Sequence, residues 1–263
     1  MTHIPSVTPE KRRVGLFVTC LIDAMRPSIG FSVIELLESA GCEVVVPANQ
    51  TCCGQPGFNS GDHAAGVTLA RKFLDEFESF DYVVVPSGSC GGMLKTHSPE
   101  LFPTEPAIAE RLRALAARTY ELTDFLATVM QVNTVPACAN PQPKTTVTYH
   151  DSCSGLRELG VQAQPRGLLA LVPELTLTEM KDCRACCGFG GTFSVKYGNI
   201  SSAIVDEKIA NIQATGAQAV VLGDVGCMLN IEGRLRRVGD NKTQVLHIAE
   251  VLAGQAQLSS IKA

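Results

Sequence analysis

Eight cysteines of this chain form two sets with nearly the same spacing, and thiols in this pattern can hold a metal or support redox chemistry. Each set has a single cysteine, a Cys-Cys-Gly triplet and a second single cysteine. Equivalent cysteines in the two sets are 133, 134, 134 and 137 residues apart. The sets are Cys20, Cys52, Cys53 and Cys90, and Cys153, Cys186, Cys187 and Cys227. Such steady offsets indicate an internal duplication rather than scattered cysteines.

Thiolates that converge on one point accept either an iron–sulfur cluster or a tetrahedral zinc ion. Zinc sites usually take their cysteines from C-x2-C pairs on short turns. The paired cysteines here are adjacent, which favours a larger inorganic core, so we predict one or two [4Fe–4S] clusters. Zinc in one or both halves of the chain is the alternative. Two other interpretations stay open, namely buried thiols that only fill space and a redox-sensing disulfide.

The composition excludes several classes of partner. The chain has 263 residues, a net charge of −4 and a sequence pI of about 5.8, and this acidic balance argues against nucleic acid. No stretch approaches the roughly 18 consecutive apolar residues of a membrane helix, and the start of the chain lacks an apolar export signal. We therefore predict a cytoplasmic protein that does not span a membrane. Its cysteine count of 11 is odd, which favours reduced thiols over a disulfide framework.

Strand-like and helical patterns alternate along the chain between the cysteines. Three short apolar runs rich in β-branched residues precede the cysteines of each set, and amphipathic segments follow them. The predicted strands are 13–20, 42–47 and 82–86 in the first half and 145–150, 174–180 and 219–223 in the second. This order is typical of an α/β fold, here as two duplicated lobes, each an open parallel sheet flanked by helices.

A segment with three prolines and no periodicity separates the two halves. The sequence therefore predicts a first domain at 11–133, a linker at 134–144 and a second domain at 145–258. In each domain the cysteines follow the carboxyl ends of predicted strands, and in a parallel sheet those ends share the edge at which ligands bind. We expect the four thiols of each lobe to meet in one pocket and to ligate one metal centre.

Three segments around these cysteines carry a resemblance to a known family. They read SGSCGGM at 87–93, CCGFGGTFS at 186–194 and GCMLNI at 226–231. With the two Cys-Cys-Gly triplets, they resemble the cysteine-rich CCG domain family, and within it the lactate-utilisation protein A group. That family includes the catalytic cluster subunit of heterodisulfide reductase and the iron–sulfur subunit of glycolate oxidase. The resemblance extends from about Val14 to Leu252.

The resemblance implies an iron–sulfur electron-transfer subunit of a multi-protein system that oxidises L-lactate to pyruvate, a component of an oxidoreductase rather than a complete enzyme. It also implies two partners, a ferredoxin-like iron–sulfur subunit and a third lactate-utilisation protein. The alternatives are a subunit of a glycolate or other 2-hydroxy acid oxidase, a heterodisulfide-reductase-like thiol-disulfide reductase, and a zinc-stabilised scaffold or redox sensor. Because the residues named above bind the cofactor and not the substrate, they do not distinguish lactate from glycolate.

The sequence departs from the heterodisulfide reductase pattern at the fifth cysteine of each lobe. Met93 and Asn230 stand there, so the disulfide-cleaving cluster is not carried over, and we expect Met93 to be a helix core residue. Cys183 is a candidate substitute ligand in the second lobe only. His150 and Asp151 precede Cys153 and are candidates for hydrogen bonding to a sulfur, or for polar groups satisfied at a strand end.

Two further cysteines have no counterpart in the other half of the chain. Cys42 follows the first predicted helix, and Cys138 lies in the predicted linker. Since neither belongs to the repeated spacing, we interpret both as packing residues outside the metal centres.

Overall fold

The computed structural model describes residues 11–139 and 143–256 and contains two lobes, each built on a four-stranded parallel sheet. The strands of the first lobe are β1 (Arg13–Leu16), β2 (Glu43–Val45), β3 (Tyr82–Val85) and β4 (Thr119–Glu121). Those of the second lobe are β5 (Thr145–His150), β6 (Leu175–Leu177), β7 (Ala219–Leu222) and β8 (Gln244–His247). The orders are β2-β1-β3-β4 and β6-β5-β7-β8, so the predicted duplicated α/β fold is confirmed.

Helices flank both sheets. Those of the first lobe are α1 (Cys20–Met25), α2 (Pro27–Ser39), α3 (Gln55–Asn59), α4 (His63–Phe77), α5 (Gly88–Gly92), α6 (Pro106–Ala117) and α7 (Leu122–Asp124). Those of the second are α8 (Cys153–Arg157), α9 (Ala163–Leu169), α10 (Phe193–Lys196), α11 (Gly198–Ala214), α12 (Val225–Arg237) and α13 (Ile248–Leu252). Two π-helical turns, Met93–His97 and Phe125–Val129, continue α5 and α7.

The strand order explains where a ligand can bind. In each sheet the first strand of the lobe is central and pairs with the second strand on one side and the third on the other. The connections after the first two strands therefore run to opposite sides, which opens a crevice at the carboxyl edge of the sheet. The segments that follow the first three strands border this crevice, and they carry the cysteines, either in a loop or in the first turn of the next helix.

A fourth strand in each lobe, β4 and β8, escaped the sequence analysis, which placed three strands per lobe. β4 has three residues and runs directly into α7, and β8 has four and runs directly into α13. Because such a short strand joins a helix without an intervening turn, the sequence reads as one continuous helical segment. Both strands lie at a sheet edge, next to β3 and β7.

The lobes contact each other through the edges that carry the cysteines. Helix α5 of the first lobe packs on α8 of the second, so closely that a Cβ at Gly88 would lie 2.8 Å from the backbone nitrogen of Gly155. The Gly88 N–H donates to the Gly223 carbonyl over 3.3 Å. The two cysteine sets therefore lie on either side of the boundary between the lobes.

The predicted linker, 134–144, contains a short 3₁₀ helix, Pro136–Cys138, with Ala137 buried. Residues 140–142 of the linker and residues 257–258 at the predicted end of the second domain lie outside the described residues. The domain boundaries stay a prediction. Within the ranges that the structure describes, no helix combines the length and the apolar character needed to cross a bilayer.

Candidate metal centres

The four cysteines of the first lobe meet where the loops after β1, β2 and β3 converge. All four line one cavity of about 280 Å³. The Cys53 thiol donates a hydrogen bond to the Cys90 sulfur over 3.3 Å, and the Cys20 and Cys53 thiols both hydrogen bond to Cys52. Cys53 is buried, whereas Cys20 is exposed at the rim. The predicted convergence of thiols is present in this lobe.

The second lobe repeats this arrangement in a smaller cavity of about 140 Å³, which all four of its repeated cysteines line. The Cys153 and Cys187 thiols hydrogen bond to Cys186, and Cys187 also hydrogen bonds to Cys227. Cys187 and Cys227 are buried, and the other two cysteines are half-buried. No thiol of this set is as open to solvent as Cys20.

The glycine of each Cys-Cys-Gly triplet turns the backbone toward the thiols. Gly54 has φ of +92° and Gly188 has φ of +83°, a left-handed conformation that glycine adopts without steric cost. Their N–H groups point at the first sulfur of the pair, with distances of 3.4 Å from Gly54 to Cys52 and 3.2 Å from Gly188 to Cys186. The glycine is therefore required by the geometry of the thiol pair.

Hydrogen bonds concentrate negative charge on one sulfur in each lobe. The pKa of Cys52 is lowered mainly because the Cys20 and Cys53 thiols donate to its sulfur, with a further contribution from the Gly54 N–H. The pKa values of Cys20 and Cys53 are raised by the same hydrogen bonds and by burial. In the second lobe the pKa of Cys186 is lowered and those of Cys153 and Cys187 are raised. A bound cation would lower the pKa values of the remaining thiols, because it would stabilise their thiolate forms.

The donor sets fit a metal centre held by thiolates. Thiolate sulfur is the ligand that iron–sulfur clusters and structural zinc share. Two thiolates on one tetrahedral zinc ion lie about 3.8 Å apart, given metal–sulfur bonds of about 2.3 Å. The Cys53 and Cys90 sulfurs are only 3.3 Å apart, so they must separate to hold either an ion or a cluster. The thiol sets therefore support metal binding, and their chemistry fits both an iron–sulfur cluster and zinc.

The side chains behind the thiols differ between the lobes. The residue three positions before the first cysteine is Phe17 in the first lobe and His150 in the second. The residue 21 positions after the cysteine pair is Leu74 in the first lobe and Lys208 in the second. All four side chains are buried. An apolar wall therefore backs the first thiol set, and a polar wall backs the second.

His150 approaches the thiols of the second lobe. A ring nitrogen of His150 and the sulfurs of Cys187 and Cys227 all lie within 4.8 Å of one another. Neither ring nitrogen has a hydrogen-bond partner among the described residues. Burial, followed by the charge of Lys208, lowers the pKa of His150 to about 3, so the ring is neutral at physiological pH.

Lys208 is a polar residue of this site that the sequence analysis missed. Its side chain is buried in the middle of α11, and its ammonium group donates to the carbonyls of Asp182 and Cys183 over 2.7 and 3.3 Å. Burial lowers its pKa. An alignment of the two repeats shows the signal, because Lys208 stands where the first lobe has Leu74.

The remaining candidates lie away from the thiol cavities or support them indirectly. Asp151 pairs with the Arg166 guanidinium over 2.8 and 3.0 Å and also accepts a hydrogen bond from the Cys183 thiol. Cys183 lies beside Asp151 and is not among the residues that line the second cavity. Met93 is fully buried in the core, as expected. Asn230 donates from Nδ2 to the Cys187 carbonyl over 2.8 Å and fixes the backbone of that cysteine.

Cys42 and Cys138, which have no counterpart in the other lobe, lie outside both cavities. The Cys42 sulfur contacts the Met130 sulfur at 3.9 Å, and the Cys138 thiol donates to the Leu171 carbonyl over 3.3 Å. These contacts are consistent with the packing role that the sequence analysis gave them.

The two thiol cavities adjoin each other. Four residues line both of them, two from the first lobe and two from the second, and these are Gln55, Ser89, Phe189 and Gly191. Gln55 donates from Nε2 to the Ser89 carbonyl over 3.1 Å, which fixes the wall on the side of the first lobe. These four residues therefore form a wall that the two cavities share.

Comparison with known proteins places these features in a family. Two segments, 14–95 and 147–232, match the cysteine-rich domain family called CCG, and they contain all eight repeated cysteines. Over 240 residues the chain is 46% identical to lactate utilization protein A of Bacillus pumilus, covering 91% of this chain and 98% of the relative. The protein of the same name from Bacillus subtilis is 45% identical over the same coverage.

The crystal structure of a hypothetical protein from Helicobacter pylori has a similar fold. It superimposes with a TM-score of 0.65 at 11% sequence identity and covers 95% of this chain. The chain spans 50% of the length of that protein. At this identity the similarity concerns the fold alone.

Proposed function

This chain belongs to the cysteine-rich CCG domain family, and from that premise we propose that it carries electrons in lactate utilisation through iron–sulfur clusters. In this proposal each lobe holds one [4Fe–4S] cluster. The ligands are Cys20, Cys52, Cys53 and Cys90 in the first lobe and Cys153, Cys186, Cys187 and Cys227 in the second. Such a cluster, when bound, accepts and releases single electrons.

One observation carries the proposal: two cavities, each lined by four thiols, share a wall of four residues. Two adjacent one-electron centres suit the oxidation of a 2-hydroxy acid to a 2-oxo acid, which releases two electrons. The thiols of the second lobe are buried or half-buried, whereas Cys20 of the first is exposed. We therefore propose that electrons pass between this chain and a partner through the first lobe.

The partners in this proposal are a ferredoxin-like iron–sulfur subunit and a third lactate-utilisation protein. A groove of about 510 Å³ lies beside the first centre and is lined by Cys20 and Cys52 together with Asp23, Val46 and Gln50. This groove gives a partner's cofactor access to the first lobe. We expect the chain to act as part of a cytoplasmic oxidoreductase rather than as a complete enzyme.

Metal and acid-labile sulfide analysis after anaerobic purification tests the cofactor. We expect iron and sulfide in equal amounts, with about half of each lost in Cys53→Ser and about half in Cys187→Ser. Cys138→Ser is the matched control because its thiol lies outside both cavities. Zinc without iron or sulfide would contradict the electron-transfer proposal.

The close sulfur spacing supports a second candidate, a zinc-stabilised scaffold. The separation of 3.3 Å between Cys53 and Cys90 is nearer to that of two thiolates on one ion than to thiolates at separate corners of a cluster. Metal analysis separates the candidates, because the zinc protein contains no labile sulfide and is colourless.

Growth of a deletion strain tests the substrate. We expect loss of growth on L-lactate as sole carbon source and unchanged growth on glycolate, with restoration by the wild-type chain but not by Cys53→Ser. Loss of growth on glycolate alone would assign the chain to a different 2-hydroxy acid oxidase.

A further inference from the structure

We propose that the His150 ring N–H donates a hydrogen bond to a sulfur of the second centre and thereby raises its reduction potential above that of the first centre. The inference rests on the proposed function, because it requires an iron–sulfur cluster in the second lobe. His150 acts here as a residue that tunes the centre rather than as a ligand.

The His150 side chain is a buried donor without an acceptor in the part of the chain that the structure describes. His150 is fully buried, and neither ring nitrogen has a hydrogen-bond partner among the described residues. A neutral imidazole always carries one N–H group. A buried donor without an acceptor costs the full free energy of its desolvation, so such groups are rare unless a missing partner completes them.

The backbone acceptor beside the His150 ring is already occupied by other donors. The Cys183 carbonyl is close enough to the His150 ring to raise its pKa, but the contact does not have the geometry of a normal hydrogen bond, and this oxygen already accepts from the Asp151 N–H over 3.3 Å and from the Lys208 ammonium over 3.3 Å. Both lone pairs of this oxygen are therefore in use. The acceptors left to the imidazole are the sulfurs of Cys187 and Cys227, which lie within 4.8 Å of it.

The first lobe has no hydrogen-bond donor at the position of His150. Phe17 replaces His150 and packs against the rings of Phe73 and Phe77, with centroids 5.9 and 5.5 Å away. Hydrogen bonds to cluster sulfurs raise reduction potentials, because they stabilise the more negative reduced form. We infer that this hydrogen bond outweighs the opposing effect of the solvent-exposed Cys20 in the first lobe, so that the second centre has the higher potential.

Pulsed EPR on reduced protein with ¹⁵N-labelled histidine tests the hydrogen bond. The Cys53→Ser background removes the first cluster, so that only the second contributes. We expect a weak ¹⁵N coupling that disappears in His150→Phe, the substitution that copies the first lobe. A bound cluster without any ¹⁵N coupling would overturn this inference alone, as would a coupling as strong as that of a coordinated nitrogen.

A redox titration in the same background tests the effect on potential. His150→Phe should lower the midpoint by about 59 mV, the one-electron equivalent of a tenfold change in the reduction equilibrium. His150→Gln keeps an N–H donor and should restore most of the shift. An unchanged midpoint in His150→Phe would overturn the inference.

These experiments distinguish a failure of this inference from a failure of the proposed function. If His150→Phe fails to bind a cluster, the labelled protein with native His150 still decides through its own coupling. If the wild-type chain holds neither iron nor sulfide, the proposed function fails and this inference fails with it. A loaded cluster with no histidine coupling leaves the function intact.

Discussion

The two lobes share the same thiol geometry but enclose it differently. Both place a cysteine pair in the loop after the second strand, follow it with a left-handed glycine and complete the set from the segments after the first and third strands. Behind the thiols the first lobe has Phe17 and Leu74, whereas the second has His150 and Lys208. The two lobes therefore share the arrangement of the thiols and differ in the buried side chains behind them.

The lobes also differ in how they form their common boundary. Asp224 of the second lobe occupies the position that Ser87 holds in the first, three residues before the last cysteine. Its carboxylate accepts from the Gly226 N–H within its own helix over 3.0 Å, and from the Ser89 N–H of the other lobe over 2.8 Å. Ser87 donates to the same carboxylate over 3.1 Å. One buried carboxylate thus joins the N-terminus of α5, which contains Cys90, to the N-terminus of α12, which contains Cys227.

The largest expected difference between the lobes concerns the glycines of the cysteine triplets. A Cβ at Gly188 would lie 2.7 Å from the Ser201 carbonyl oxygen, whereas one at Gly54 would only touch Leu69 at 3.5 Å. Gly54→Ala should cost about 1–2 kcal/mol for the left-handed backbone, and Gly188→Ala about 3–5 kcal/mol because a steric clash is added. Anaerobic urea unfolding measures both, and equal losses would contradict the asymmetry.

Substitution of Asp224, whose carboxylate lies at the boundary between the lobes, should have the next largest effect on the free energy of unfolding. Asp224→Ala leaves four hydrogen-bond donors from two lobes without their acceptor and should lower the free energy of unfolding by about 3 kcal/mol. Ser87→Ala removes a hydroxyl at the equivalent position and should cost about 1 kcal/mol. If the two variants lose the same amount of stability in urea unfolding, Asp224 does not join the lobes as the contacts indicate.

Glu121 and His247 occupy equivalent positions and should give opposite responses to pH. Burial raises the pKa of Glu121 to about 7, and burial lowers that of His247 to about 4. Between pH 4.5 and 7 folded Glu121 holds a proton that the unfolded chain has lost, so its contribution to stability falls as pH rises. Between pH 6.5 and 4 the unfolded chain protonates His247 first, so its contribution falls as pH falls.

Glu121→Gln isolates the first of these responses. Relative to wild type, the variant should gain about 2–3 kcal/mol of unfolding free energy between pH 5 and pH 8, because the amide has no proton to lose. Glu110→Gln is the control, since the Glu110 side chain is 76% exposed. A constant difference between wild type and Glu121→Gln across this range would show that the folded carboxyl has its ordinary pKa.

The smallest expected difference between the lobes concerns Lys208. Lys208→Leu copies the first lobe and removes a buried cation near Cys187, so the potential of the second centre should fall by at most about 59 mV. Leu235→Met is the control, because it changes a buried side chain of the same lobe without altering charge. A rise in the midpoint of Lys208→Leu would contradict the expected electrostatic effect.

The sequence predicted the features that depend on local pattern. Strands β1 and β7 are short apolar runs, and their cysteines lie where the parallel arrangement requires. Strands β4 and β8 were missed because each continues directly into a helix. Lys208 was missed because a single lysine in a helical segment carries no signal of burial. Only an alignment of the two repeats shows that it stands at the position of the core residue Leu74.

Contacts across the lobes lay beyond the sequence altogether. Asp224 is sequentially distant from Ser87 and Ser89, and no periodicity reports how two domains dock. Asp151 is a candidate partner for a sulfur on spacing alone, and in the fold its carboxylate pairs with Arg166 and also accepts from the Cys183 thiol. Long-range polar pairing is decided by tertiary packing, whereas the placement of the thiols is decided by strand order.

The most direct test of two unequal centres is an EPR-monitored redox titration of the anaerobically purified wild-type chain. Two one-electron transitions should be resolved, with the lower potential absent in Cys53→Ser and the higher absent in Cys187→Ser. A single transition that both variants abolish, or the absence of any iron–sulfur signal in the wild type, would contradict the account.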